Sequence, residues 1–127
     1  MSAAQAKLLL QVIHTDRESQ RTDAGWVTKC LFCRKALVLS LDGKHRGGAS
    51  LEHIVPRSWF DHRAAADLIA AFDGPNDLRN LALACRSCNS GKGSGHDANG
   101  PLDFRAREIV TALLQKRWDR FVSPVGE

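Results

Sequence analysis

The spacing of apolar residues predicts a helix near each end of the chain. Residues 3–14 carry apolar positions at helical intervals and are expected to form an amphipathic helix; these positions are Ala3, Ala6, Leu9, Leu10 and Ile13. A longer stripe with the same period predicts a helix over residues 103–121; its members are Ile109, Val110, Leu113, Leu114, Trp118 and Phe121. Both stripes are expected to face a core.

Between these helices the apolar runs are short and indicate strands. Residues 36–41 and 50–55 are separated by a basic loop that contains several glycines, so we expect them to pair as a hairpin. Pro56 ends the second strand, because proline lacks the N–H that a ladder needs. The polar residues 15–25 are expected to form a loop.

The segment beyond Pro56 is expected to be mainly helical. Alanine, leucine and isoleucine dominate residues 59–72, and Gly74-Pro75 would stop that helix. Residues 80–84 are apolar and extended or turn-like, and residues 86–93 fit a short helix. Together the elements predict a small α+β fold.

Size and composition describe one ordinary small domain. The 127 residues fit a single domain, and 43% hydrophobic with 25% charged residues is typical of globular proteins. The sequence shows no membrane-spanning stretch and no signal-peptide pattern, so a cytoplasmic protein is expected. Cores of this size often rely on a structural metal.

Four cysteines form two Cys-x-x-Cys pairs, Cys30 with Cys33 and Cys85 with Cys88. Two such pairs, far apart in sequence, suit a single tetrahedral zinc ion. Four thiolates leave no coordination position open, so the ion would be structural. Two alternatives stay open: four buried cysteines without a metal, and thiols with a redox or metal-sensing role.

Positive charge gathers around the cysteine pairs, although the net charge is only +4. Residues 29–46 and 79–96 are basic, whereas residues 61–77 are acidic. The basic segments suit a polyanion, and an ordinary solvated surface is the alternative. The last helix raises the same choice, and there a solvated face is favoured over a DNA contact; its basic residues are Arg105, Arg107, Lys116, Arg117 and Arg120.

A second set of motifs surrounds the cysteines. Residues 51–58 read Leu-Glu-His-Ile-Val-Pro-Arg-Ser, and Asn80, Asn89 and Lys92 lie around the second cysteine pair. In this order and spacing the motifs resemble those of the HNH endonucleases over about residues 29–93. The resemblance implies a zinc-stapled ββα-metal core with flanking N- and C-terminal helices, all within a single domain over 1–127.

The resemblance also implies a role for each motif position. His53 is the expected general base, and Glu52 and Asn89 are the expected ligands of a catalytic Mg²⁺ or another divalent ion. Asn80 is expected to steady the catalytic loop and orient the histidine. Contacts to DNA phosphates are expected from the basic side chains near the motif, which are Lys92, Arg57 and His45.

The implied reaction is hydrolysis of DNA phosphodiester bonds, which leaves 5′-phosphate and 3′-hydroxyl ends. The sequence shows no dedicated recognition module, so nicking or weakly specific cleavage is expected. A zinc-ribbon nucleic-acid binder without catalysis is the alternative. Two features depart from the family pattern: the doublet begins with Glu52 instead of Asp, and a helical insertion occupies about residues 59–72. Three roles stay open for that insertion: it packs on the core, it mediates self-association as a homodimer, or it shapes the substrate cleft.

Overall fold

Two small antiparallel sheets flanked by helices build the part of the chain that the structure, a computed structural model, describes: residues 3–88 and 100–123. Helix α1 has the bounds that the apolar spacing predicts. Within the described residues, no helix combines the length and the apolar character needed to cross a bilayer. The elements in chain order are α1 (Ala3–His14), β1 (Gln20–Thr22), β2 (Gly25–Lys29), β3 (Ala36–Leu39), β4 (Ala49–His53), α2 (Ala66–Ile69), β5 (Leu81–Cys85) and α3 (Phe104–Arg120).

The first sheet has the strand order β1-β2-β3. The turn between β2 and β3 carries the first cysteine pair. Lys29 pairs with Ala36, so the residues between them form the turn. The Cys30 N–H donates to the Lys35 carbonyl at 2.9 Å, and the Arg34 N–H donates to the Cys30 carbonyl at 3.1 Å. Arg34 closes the turn with a positive φ of 69°. The chain therefore reverses directly after β2, and β3 pairs with it.

The expected hairpin of residues 36–41 with 50–55 is wrong. β3 pairs with β2, and β4 pairs with β5 in a separate sheet. The turn that carries Cys30 and Cys33 places β2 next to β3, and these two strands pair. β4 pairs instead with β5, a strand from much later in the chain. That strand ends at Cys85, and the pairing brings the second cysteine pair to the first. Residues 15–25 also differ from the expected loop, since they include β1.

The helix expected over residues 59–72 is broken into short pieces. His62 is extended, with φ −96° and ψ 128°, and interrupts the helical path. The bend lets Trp59 and Ala65 both reach the core, where each is fully buried. The burial of these two side chains outweighs the helical preference of the alanine-rich run. The pieces are two 3-10 turns, Arg57–Asp61 and Arg63–Ala65, followed by α2.

The core lies on both sides of β5, whose five residues are all buried. Successive strand residues point to opposite faces. Leu81 and Leu83 therefore join one apolar cluster with α1 and β3, whereas Ala82 joins a second cluster with α3. The main α3 members of that second cluster are Val110, Leu113 and Leu114.

Helix α3 buries two of its arginines, which neither interpretation of its basic face expected. Arg117 is 2% exposed and Arg120 is 8% exposed. The Arg120 Nε donates to the Asp16 Oδ1 at 3.1 Å. Burial acts to raise the pKa of Asp16, but the hydrogen bond from Arg120 and further bonds outweigh it and hold that pKa below its usual value. In the apolar stripe, Ile109 and Trp118 are instead exposed at 36% and 41%.

The Arg117 guanidinium joins α1, α3 and the start of β5. Its Nε donates to the Leu81 carbonyl at 2.7 Å, and its Nη1 donates to the Thr15 carbonyl at 3.0 Å. Its Nη2 donates to the Thr15 Oγ1 and the Leu78 carbonyl at 2.8 Å and 3.1 Å. Burial lowers the pKa of Arg117 to about 10, because removing the charged side chain from water costs free energy. The hydrogen bonds to these oxygens offset that cost. Leu78 and Leu81 bracket Asn80, and α3 thereby fixes the segment that carries this residue.

We expect Arg117→Met to lower the free energy of unfolding by about 2–4 kcal/mol, because buried carbonyls lose their donor. Lys116→Met is the matched control: it also replaces a basic side chain with methionine, at the neighbouring exposed position, and its effect should stay within about 0.5 kcal/mol. Urea unfolding of both variants measures the difference. Equal midpoints would show that Arg117 contributes nothing beyond its apolar stem.

Candidate metal centre and active site

The sulfur atoms of Cys30, Cys33, Cys85 and Cys88 all lie within 4.8 Å of one another. The Cys33 and Cys85 sulfurs are 3.8 Å apart. A tetrahedral ion with metal–sulfur bonds of about 2.3 Å has sulfur–sulfur distances of about 3.8 Å. The cluster could therefore hold one metal ion through four sulfur ligands, as the spacing predicts.

Local structure explains why the two pairs meet. Cys30 and Cys33 lie on the turn between β2 and β3, while Cys85 ends β5 and the helical residues 86–88 present Cys88. The Cys85 N–H donates to the Cys30 Sγ at 3.3 Å, which links the second cysteine pair to the first. Cys33 alone of the four is exposed.

Two of the thiols have shifted pKa values of opposite sign. A hydrogen bond from the Cys88 backbone, together with the neighbouring thiols, lowers the pKa of Cys85 to about 7. Burial raises the pKa of Cys88 to about 12. The protein environment therefore favours one thiolate near neutral pH. Full deprotonation of the cluster calls for the charge of a bound cation.

Glu52 and His53 end β4 and lie opposite the start of β5, whereas Cys85 lies at the other end of this strand pair. Glu52 pairs with Ala82, and His53 pairs with Leu81. The two side chains therefore project to opposite faces of the hairpin. Glu52 is buried, whereas His53 is half-buried. The His53 Nε2 lies 2.7 Å from the Oδ1 of Asn76.

Asn80 is fully buried and fixes the backbone that follows His53. Its Oδ1 accepts from the Val55 N–H at 2.8 Å, and its Nδ2 donates to the Val55 carbonyl at 3.2 Å. The Nδ2 also donates to the Pro75 carbonyl at 3.0 Å. The Asn80 carbonyl accepts from the Ile54 N–H at 2.9 Å. One side chain thus holds both ends of the segment between β4 and β5.

The remaining predicted site residues are placed as follows. Arg57 is exposed on the 3-10 turn after Pro56. His45 is exposed in the loop between β3 and β4, where its N–H donates to the Ser40 Oγ at 3.0 Å. Asn89 and Lys92 lie outside the described residues.

Sequence reasoning missed Asn76. This residue lies in a Gly-Pro-Asn-Asp turn, whose sequence indicates only the end of a helix. No local pattern signals a contact with a histidine 23 positions away. Its proximity depends on how Asn80 holds the turn.

The fold and the site define a small α+β protein with a four-cysteine cluster that could hold a metal ion at one end of the β4–β5 hairpin and a histidine at the other end. A model of the HNH endonuclease family matches residues 30–95, just over half of the chain, so the chain belongs to this family. A search of curated proteins and a search of solved structures each give no match. Membership confirms the expected HNH fold and indicates a nuclease or nucleic-acid-related function.

We expect the purified chain to hold one metal ion per molecule. Cys30→Ser should lower the metal content and the melting temperature together, because a buried ligand is lost and the cluster stabilises the fold. Ser87→Ala is the matched control, since Ser87 lies between two ligands and is exposed. Elemental analysis and thermal unfolding measure both quantities. A Cys30→Ser protein with unchanged metal content would exclude the four-sulfur site.

Proposed function

We propose that the protein is a divalent-metal-dependent endonuclease that hydrolyses DNA phosphodiester bonds. The observation that carries the proposal is the placement of Glu52 and His53 at the end of β4, directly before the backbone that the Asn80 side chain fixes. In a chain of the HNH endonuclease family, this arrangement supports catalysis at that strand end.

His53 is the proposed general base. Its imidazole is half-buried and makes a hydrogen bond through Nε2. The other ring nitrogen can take a proton from a water molecule that attacks phosphorus. A positioned base of this kind typically contributes about 10²–10⁴-fold to the rate. Asn80 supports the reaction indirectly, because it fixes the backbone directly after the histidine.

Two different metals are proposed at two different places. The four cysteines suit zinc, which prefers thiolates in a closed tetrahedral site and would be structural here. Glu52 and Asn89 offer oxygen ligands, which suit Mg²⁺ with further water ligands. Such an ion, when bound, supplies charge stabilisation at the phosphorus and at the departing oxygen. Asn89 follows Cys88 directly in the sequence.

The proposed substrate is DNA, bound mainly through its backbone. Arg57, Lys92 and His45 are the proposed phosphate contacts. Backbone contacts carry no sequence information, so we propose nicking or weakly specific cleavage. Water attack with a departing 3′ oxygen gives 5′-phosphate and 3′-hydroxyl ends.

We expect the protein to cleave supercoiled plasmid in the presence of Mg²⁺ or Mn²⁺. His53→Ala should lower the cleavage rate by about 10²–10⁴-fold, because the base is lost. Its metal content and melting temperature should be unchanged. Gel analysis of the plasmid gives the rate, and end labelling identifies the 5′-phosphate.

His62→Ala is the matched control. His62 is an exposed histidine nine positions after His53, and it lies between the two 3-10 turns. It should cleave at the wild-type rate. Equal rates for His53→Ala and wild type would assign the cleavage to a contaminant. Plasmid binding without cleavage under any divalent ion would instead favour the non-catalytic zinc-ribbon binder.

A further inference from the structure

The hydrogen bond of His53 determines which ring nitrogen carries its proton. The distance from the His53 Nε2 to the Asn76 Oδ1 is 2.7 Å. An amide oxygen only accepts hydrogen bonds, so the Nε2 is the donor. A neutral imidazole has a single N–H, and the Nδ1 is therefore left with a free lone pair. This is the protonation pattern that a base acting through Nδ1 requires.

The turn that carries Asn76 is held from both sides. The Asp77 N–H donates to the Gly74 carbonyl at 3.1 Å, and the Asn80 N–H donates to the Asp77 carbonyl at 2.8 Å. The Asp77 carboxylate accepts from the Arg79 N–H at 3.0 Å and caps the following 3-10 turn. These bonds leave the backbone of Asn76 little freedom to move away from the histidine.

Asn80 couples this turn to the strand end. Its side-chain amide bonds to Val55, two residues after His53, and to Pro75, one residue before Asn76. The bonds to Val55 are buried and shielded from competing water, and the bond to Pro75 is partly buried. The relative position of the imidazole and its acceptor is thus set by a third, buried group.

We infer that Asn76 is a positioning residue that holds His53 in its Nε2–H form and directs the Nδ1 toward the attacking water. This inference rests on the proposed function and names the group that prepares its base. Asn76 acts through the histidine and need not touch DNA. Its side chain is exposed and lines an open cavity of about 710 Å³, so substitutions there need not disturb the core.

Nitrogen NMR of the full chain tests the proton placement without any need for cleavage. Two-bond ¹H–¹⁵N correlation spectra distinguish the Nε2–H and Nδ1–H forms of a neutral imidazole, and the spectrum of His53→Ala assigns the signal. We expect the Nε2–H pattern in the wild type and its loss or mixing in Asn76→Leu, which removes the acceptor at similar size. An Nδ1–H pattern in the wild type would overturn the inference.

Single-turnover cleavage tests the catalytic consequence. Asn76→Leu should lower the cleavage rate at saturating enzyme by about 10–100-fold, which is part of what a positioned base contributes. The enzyme concentration that gives half of the maximal rate should change little. Asn76→Asp keeps an oxygen acceptor at the same place and should recover most of that rate. Equal saturating rates for wild type and Asn76→Leu would overturn the inference and leave the nuclease proposal standing.

The two proposals fail in different ways. A wild type that cleaves nothing overturns the proposed function and the catalytic part of the inference together. An Nε2–H signal that disappears in Asn76→Leu would still confirm the hydrogen bond in that case. Each comparison requires that the purified variant has the same melting temperature as the wild type.

Discussion

The meeting of the two cysteine pairs is the constraint on which both sheets depend. β3 and β4 follow one another in the chain but belong to different sheets. The sheets are joined where the Cys85 N–H donates to the Cys30 Sγ and where the Leu31 N–H donates to the Leu83 carbonyl at 3.0 Å. A bound ion would close this junction. Because the site does not exist in the unfolded chain, the binding free energy of the ion would become folding free energy.

Helix α3 makes a second set of polar contacts, on the side of β5 opposite the cysteine cluster. Helix α3 lies outside the residues that match the family, yet Arg117 holds the carbonyls on both sides of Asn80. A buried guanidinium is costly, and it is tolerated where several oxygens converge on it. The same helix reaches the inserted segment, where Arg107 donates to the Ala64 carbonyl at 2.8 Å. The appended helix therefore helps to position the site as well as to fill the core.

The sequence predicts features that depend on near neighbours and misses those that depend on distant ones. The spacing of Cys30 and Cys33 and the bounds of α1 follow from one turn or one helical face, and both could be predicted. Strand pairing could not, because it depends on which partner completes a buried face. Arg117 has the helical spacing of the buried face, but its charge indicates a solvated residue, and its acceptor Thr15 lies 102 positions away. Asn76 was missed for the same reason.

The long segment between His53 and Asn80 need not loosen the site, because its two ends are bonded to each other. The Ile54 N–H donates to the Asn80 carbonyl, and the Asn80 amide holds Val55. The entropy cost of closing a loop grows only slowly with its length, so a longer insertion adds little to this closure. Trp59 is buried just after the strand end and anchors the start of the insertion in the core. The geometry at His53 is therefore set by the closing contacts, and the length of the insertion between them has little influence on it.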